Sequence, residues 1–128
     1  MIELKFDDEN RILTIVMQGM ISEADIDAAM DALHARYPQV GAHVKGGDRA
    51  GFCTLVDWET LEGWEKGAKT VGTMMSKLIG DAVRKTAVIA DDKWSDEQPR
   101  LADIAKNAKV RFFAPEQRVE ARAWLEAR

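Results

Sequence analysis

The stretch that decides the fold of this chain is Gly51-Phe52-Cys53-Thr54-Leu55-Val56-Asp57. Its apolar residues run on without the alternation of polar and apolar side chains that marks a strand with one face in water. Such a run predicts a β-strand covered on both faces, which is typical of parallel sheets. Residues 85–90 (Lys-Thr-Ala-Val-Ile-Ala) predict a second buried strand, which stops at Asp91-Asp92-Lys93.

On the N-terminal side, the sequence predicts a β-hairpin. Residues 2–6 alternate apolar and polar side chains, residues 7–10 are a polar turn, and residues 11–18 carry apolar side chains for both faces of a strand. Two strands joined by so short a turn pair in antiparallel fashion. Gly19 and Met20 are expected to lead the chain out of the hairpin.

A helix is predicted next, because Ser22 and Asp25 have the spacing of a capping box. It runs to about Arg36, since Pro38 cannot continue it. The side chains that it is expected to bury are Ile26, Met30, Leu33 and Tyr37. Residues 39–50, which include three glycines, are predicted to be a loop.

The C-terminal half continues the alternation of strands and helices. We expect a loop with two tryptophans over residues 58–64 and a helix from about Lys66 to Ala82. A helix capped by Ser95 and Gln98 is expected to run to about Asn107, with Pro99 in its first turn. The last two elements are a strand over residues 109–113 and a helix from Pro115 almost to Arg128.

The predicted order is therefore β-β-α-β-α-β-α-β-α. An antiparallel hairpin followed by alternating helices and strands indicates an α/β fold with a mixed, mostly parallel sheet and helices on both faces. We expect residues 1–128 to form a single domain. The chain length fits one domain of ordinary size.

Composition narrows the function classes. The formal net charge of −4 and the pI of about 5.2 argue against a nucleic-acid-binding protein that relies on overall positive charge. Cys53 is the only cysteine, which suits a reducing compartment. Without a signal-peptide pattern or an apolar run of about 20 residues, we expect a cytoplasmic protein.

Common catalytic and cofactor motifs are missing from the sequence. Residues 46–51 have the glycine spacing of a phosphate loop, but Phe52 and Cys53 stand where such a loop needs lysine and a hydroxyl. His34 and His43 lack metal-binding spacing. Cys53 lies within an apolar strand, so we expect a buried, unreactive thiol. The chain is thus predicted to be no enzyme and to use no cofactor.

Three carboxylates leave one alternative open. Asp57 ends one predicted parallel strand, and Asp91 and Asp92 end the next, so all three belong to the edge where α/β sheets bind ligands. They could hold Mg²⁺ in a metal-dependent enzyme. The interpretation we favour is that they stop the strands and cap helices.

The helix after the tryptophan loop has one apolar face and one basic face. Its simplest role is to pack on the core. The tryptophans, the adjacent methionines and the glycines Gly67, Gly72 and Gly80 support the alternative of a movable helix at an apolar pocket or a membrane surface. The candidate ligand-binding side chains are Trp58, Trp64, Val71, Met74, Met75, Leu78 and Ile79, and the candidate membrane-surface side chains are Lys66, Lys69 and Lys77.

Three stretches carry a family resemblance. They are residues 62–64 (Glu-Gly-Trp), residues 87–94 (Ala-Val-Ile-Ala-Asp-Asp-Lys-Trp), and residues 110–116 (Val-Arg-Phe-Phe-Ala-Pro-Glu) followed by residues 121–125 (Ala-Arg-Ala-Trp-Leu). Together they resemble the SpoIIAA-like family, which is similar to the STAS domains of anti-sigma-factor antagonists and, more distantly, to CRAL-TRIO lipid-binding domains. The resemblance covers nearly the whole chain outside residues 39–50.

This resemblance implies a STAS-like fold without catalytic machinery. It further implies a small apolar ligand or lipid, or contact with a membrane surface, through a mobile helix after the third strand. The alternative is a protein-partner regulator of the anti-sigma-factor-antagonist type. Such regulators carry a phosphorylatable serine after the third strand, where this chain offers only Thr60. Self-association of the chain stays open.

Overall fold

A computed structural model describes residues 1–36, 52–70, 73, 83–97, 99 and 109–127. The strands within these residues are β1 (Ile2–Asp7), β2 (Ile12–Met17), β3 (Gly19–Ile21), β4 (Phe52–Asp57), β5 (Leu61–Trp64), β6 (Val83–Ile89) and β7 (Lys109–Phe113). Helix α1 spans Glu23–Arg36, and a C-terminal helix spans Arg118–Glu126. Two 3₁₀ turns span Asp92–Glu97 and Pro115–Gln117.

The predicted mixed sheet is confirmed. Five strands pair in the order β1-β2-β4-β6-β7, with β1 antiparallel to β2 and each later pair parallel. The apolar stretch singled out in the sequence forms β4 at the centre of this sheet, and its residues 52–55 are buried. A central strand needs apolar side chains on both faces because each face is covered by another layer.

The two faces of the sheet carry separate apolar clusters. On the first face, the described part of the cluster is Leu13, Ile21, Ile26, Met30, Leu33, Phe52, Trp58, Leu61, Ala68, Val83, Val88 and Ala90. On the second face, it is Ile12, Cys53, Leu55, Ala87, Ile89, Phe113, Ala121 and Leu125. Helix α1 therefore packs on one face and the C-terminal helix on the other, in agreement with the predicted helices on both faces.

The start of α1 is the predicted capping box. The Ser22 backbone N–H donates to Asp25 Oδ2 at 2.9 Å, and the Asp25 backbone N–H donates to Ser22 Oγ at 3.1 Å. Ile26, Met30 and Leu33 are buried at helical spacing along one face. Tyr37, Pro38 and the predicted loop over residues 39–50 lie outside the described residues.

A second, two-stranded sheet corrects the prediction. Residues 19–21 were expected only to leave the hairpin, and residues 61–64 were expected to be loop, but they form β3 and β5 and pair in parallel. Ile21 and Leu61 are both fully buried in this pair. Strands of three and four residues are too short to show a period in the sequence, so only their mutual pairing reveals them.

Two of the predicted helix starts, at Ser95 and at Pro115, also shift. The structure has 3₁₀ turns where helices were expected from Ser95 and from Pro115, because the Asp91 and Ala114 carbonyls accept turn hydrogen bonds from Trp94 (3.1 Å) and Gln117 (2.8 Å). The C-terminal helix begins three residues late, at Arg118. Residues 98 and 100–108 lie outside the described residues.

The helix expected from Lys66 is helical only from Ala68 among its described residues. Gly67 lies in a turn with a φ of +86°, and a Cβ there would lie 2.6 Å from Glu23 Oε1. Gly67 is therefore a turn residue and not one of the helix glycines, because its positive φ lies outside the right-handed helical region. Glycine adopts such a conformation readily because it has no Cβ. Within the described residues, the helices are too short and too polar to cross a membrane.

Candidate functional site

Trp58 is the centre of the candidate site. It follows β4 directly, and its backbone N–H donates to the Ile89 carbonyl at the end of β6 (2.8 Å). Its side chain is only 3% exposed, and its indole N–H donates to Met17 Sδ at 3.0 Å. The end of the central strand and its neighbour therefore fix this ring in place.

Trp58 is packed against two further tryptophans. Trp64 ends β5 and Trp94 lies in the 3₁₀ turn after β6, and the three ring centroids are 5.5 to 5.7 Å apart in edge-to-face pairs. The Phe112 ring of β7 also packs edge to face on Trp58, with 6.1 Å between the ring centroids. We call these four residues the aromatic cluster. Edge-to-face packing places the positive edge of one ring on the negative face of the next, which stabilises the arrangement.

Two lysines cover the outer rings of the aromatic cluster. Lys69 Nζ lies 5.4 Å from the Trp64 ring centroid, and Lys93 Nζ lies 5.3 Å from that of Trp94. Lys69 Nζ also pairs with Glu97 Oε1 at 2.6 Å. Lys69 thus ties the helical segment that begins at Ala68 to the turn that carries Trp94.

The indole N–H groups of Trp58 and Trp94 differ in whether they have a hydrogen-bond acceptor. Trp58 has its sulfur acceptor, whereas the Trp94 indole nitrogen is buried and meets no hydrogen-bond acceptor in the described part of the chain. Trp64 and Trp94 are each partly exposed, unlike Trp58. Among the described residues, the cluster therefore combines accessible surface on Trp64 and Trp94 with one buried N–H donor that has no acceptor.

The structure brings together only some of the side chains predicted for the ligand site. Trp58 and Trp64 are in contact, Lys69 lies on Trp64, and Lys66 is exposed in the preceding turn. The remaining candidates lie outside the described residues: Val71, Met74, Met75, Lys77, Leu78 and Ile79.

Sequence reasoning missed Trp94 and Phe112 as members of this site. A signal for Trp94 was available, because parallel neighbours β4 and β6 end at the same edge and each is followed within a few residues by a tryptophan. The position at the carboxyl ends of two neighbouring strands, which made the aspartates candidates for a shared site, applies equally to the tryptophans that follow the same strands.

The aspartates at this edge have other partners. Asp57 accepts hydrogen bonds from the Glu59 backbone N–H (2.9 Å) and from Arg118 Nη1 (2.9 Å), and Asp91 accepts one from the Lys93 backbone N–H (3.2 Å). Arg118 also pairs with Glu59, and hydrogen bonding to Asp57 raises the pKa of its guanidinium. Asp57 and Asp91 thus cap the turns after their strands, close to the role favoured from the sequence. In the described ranges, no His, Cys, Asp and Glu side chains group as a metal site.

Cys53 is 1% exposed, on the face of β4 opposite the aromatic cluster. Its Sγ lies 3.7 Å from the Leu125 carbonyl and 3.7 Å from Arg84 Nη2. The predicted burial of this thiol is confirmed. It takes no part in the candidate site.

The sheet order, the helices on its two faces and the turn after β4 define the class of the protein. The fold is that of a STAS-type α/β module, a class that is generally non-catalytic. The SpoIIAA-like family model matches residues 12–126, and the chain belongs to this family.

A solved structure shows the same fold. It is an uncharacterized protein of the DUF3478 family with a SpoIIAA-like fold from Shewanella loihica, which is similar over 98% of this chain and 92% of that one. The TM-score is 0.73 and the sequence identity 18%, so the likeness concerns the fold alone. Comparison with curated proteins gave no match.

Proposed function

We propose that this protein is a non-catalytic binding module that holds a small apolar ligand or lipid against the aromatic cluster. The observation that carries the proposal is the group of three mutually packed tryptophans at or just beyond the carboxyl ends of β4, β5 and β6, two of them partly exposed. Apolar ligand sites are typically lined by aromatic side chains with a few polar groups that orient the ligand.

The position of the cluster supports a site beside the helix after β5. The five described strands follow chain order across the sheet, so among them there is no reversal of the kind that opens a crevice in many α/β proteins. A ligand would instead lie between the indoles and the helical segment that begins at Ala68. The Lys69 side chain covers Trp64 there, so the ligand would displace it. The proposed movement of this helix would first break the ion pair between Lys69 and Glu97.

A titration with the neutral fluorescent dye Nile red tests this proposal. We expect the parent protein to bind the dye and Trp64→Ala to bind it more weakly, because accessible indole surface is removed. The matched control is Trp124→Ala, which removes a partly buried tryptophan from the opposite face of the sheet. An equal loss in both variants, or no binding by the parent, would contradict the proposal.

Membrane contact is part of the same proposal. Lys66 and Lys69 are exposed next to the cluster, and each lysine near an anionic bilayer contributes about 1 kcal/mol of attraction. Salt-sensitive binding to vesicles that contain phosphatidylserine, weakened by Lys66→Glu, is the expected result. Vesicle binding that changes neither with salt concentration nor in Lys66→Glu would contradict the membrane role but not the ligand site.

A second candidate function is regulation of a protein partner, and the exposure of Thr60 favours it. Thr60 lies in the turn between Trp58 and β5, at the place where anti-sigma-factor antagonists are modified, and its carbonyl accepts a hydrogen bond from Gly19 (3.0 Å). Mass spectrometry of protein isolated from its native cells tests this role. Phosphate on Thr60 would support it, and an unmodified Thr60 under all growth conditions would count against it.

A further inference from the structure

Resting on the proposed function, we infer that the ligand of the aromatic cluster is an uncharged molecule with a carbonyl-type oxygen, which accepts a hydrogen bond from the Trp94 indole N–H. The Trp94 N–H is a donor without an acceptor among the described residues, and the turn that carries it has an excess of negative charge.

The orphan donor is the first observation. Trp94 Nε1 is buried, and no acceptor reaches it from any described residue, while the neighbouring Trp58 Nε1 has Met17 Sδ at 3.0 Å. Buried polar groups in folded proteins nearly always have a partner, because an unpaired donor loses its bond to water without replacement. A ligand oxygen beside Trp94 would supply the missing acceptor.

The turn that carries Trp94 indicates why this oxygen is uncharged. Residues 91–97 contain four carboxylates, at Asp91, Asp92, Asp96 and Glu97, against the single lysine Lys93. Lys69 adds one positive charge but already pairs with Glu97 at 2.6 Å. A carboxylate ligand would therefore meet an excess of like charge, whereas a ketone, ester or amide oxygen would not.

The exposed ring surfaces indicate that the rest of the ligand is apolar. Trp64 and Trp94 are partly exposed, and their rings meet edge to face with centroids 5.5 Å apart, so their accessible surfaces are adjacent but not coplanar. Accessible aromatic surface binds an apolar group by burial of that group's surface. The ligand class is thus an apolar body with one neutral acceptor oxygen.

Three probes of similar size test the class. Acetophenone, ethylbenzene and benzoate share one ring and one side group, and they differ in carrying a neutral oxygen, no oxygen or a charged carboxylate. Binding is followed by NMR of the four tryptophan indole N–H signals, with the Trp94 signal identified by its absence in Trp94→Phe. This variant keeps an aromatic ring and removes the donor.

We expect acetophenone to bind about two- to tenfold more tightly than ethylbenzene, the range of one neutral hydrogen bond. It should also move the Trp94 indole proton signal downfield in the parent protein, where the ring and its donor are both intact. Trp94→Phe should abolish the preference for acetophenone, and the control Trp124→Phe should keep it. Benzoate should bind most weakly.

The possible failures are distinct. Equal binding of acetophenone and ethylbenzene, with the Trp94 signal unmoved, would overturn this inference and leave the proposed apolar site standing. Tightest binding by benzoate would overturn the uncharged class. If none of the probes moved an indole signal of Trp58, Trp64 or Trp94, the proposed function itself would fail at this site.

Discussion

Trp58 and Trp64 touch each other, yet they differ in how much of each ring reaches water. Trp58 is 3% exposed, whereas Trp64 is partly exposed and lies under Lys69. We expect Trp58→Ala to lower the free energy of unfolding by about 3–5 kcal/mol, as for other core tryptophans, and Trp64→Ala to lower it less. Urea unfolding of the two variants measures the difference. Equal losses would make Trp64 a core residue and leave no indole surface for a ligand.

The Cys53 thiol belongs to the opposite face of the sheet and should be chemically quiet. Its burial between β4 and the C-terminal helix denies access to reagents. A thiol reagent should therefore react slowly with native protein and quickly in urea, since the reagent cannot reach the buried sulfur in the folded state. Similar rates in both states would mean that the C-terminal helix does not cover β4 as described.

Helix α1 depends on the capping box at its start. Ser22 Oγ accepts the Asp25 backbone N–H, so Ser22→Ala should cost about 1 kcal/mol of unfolding free energy. Ser95→Ala is a matched control, because Ser95 lies exposed inside a 3₁₀ turn. Thermal unfolding of both variants compares them. Equal effects would indicate that the cap contributes nothing specific.

The same capping box makes α1 sensitive to acid. The hydrogen bond from the Ser22 backbone N–H lowers the pKa of Asp25, and the Ser22 hydroxyl adds to the effect. A carboxylate with a lowered folded pKa stabilises the protein above its unfolded pKa of about 3.9 and loses this contribution as the pH falls through the folded value. The stability gap between the parent and Asp25→Asn should therefore shrink below about pH 4. A gap that stays constant on acidification would contradict this account.

Elements with a clear period or cap could be predicted from the sequence. The apolar run of β4, the alternation of β1 and the reciprocal Ser22–Asp25 cap are local signals, and each is found where it was expected. The pair β3 and β5 could not be predicted, because its stability comes from contact between segments distant in the chain. Propensity rules also do not separate a 3₁₀ turn from the first turn of an α-helix, which explains the shifted helix starts.

At the scale of the whole molecule, only some members of the candidate site could be proposed from the sequence. The sequence indicated an aromatic site near Trp58 and Trp64, and the fold adds Trp94 from the turn after β6 and Phe112 from β7. The carboxyl ends of parallel strands bring these residues together, and the strand order decides which ends are neighbours. That order is a property of the folded chain.

The carboxylates at the same edge should not form a functional metal site. Asp57 is held by Arg118 and by the Glu59 backbone N–H, so binding of Mg²⁺ would require these contacts to break. We expect calorimetric titration to show no Mg²⁺ binding tighter than about millimolar, the affinity of weak oxygen-ligand sites. Tighter binding of Mg²⁺ that disappears in Asp91→Ala would instead support the alternative of a metal-dependent enzyme.

Native mass spectrometry of freshly purified protein tests the central claim most directly. If the aromatic cluster holds an apolar ligand, a fraction of the parent protein should carry an additional mass that is released on denaturation and extracts into organic solvent. Trp64→Ala should carry less of it, and Trp124→Ala should carry as much as the parent. Parent protein that has only the mass of the bare chain, and that takes up no neutral lipid added in excess, would contradict the account.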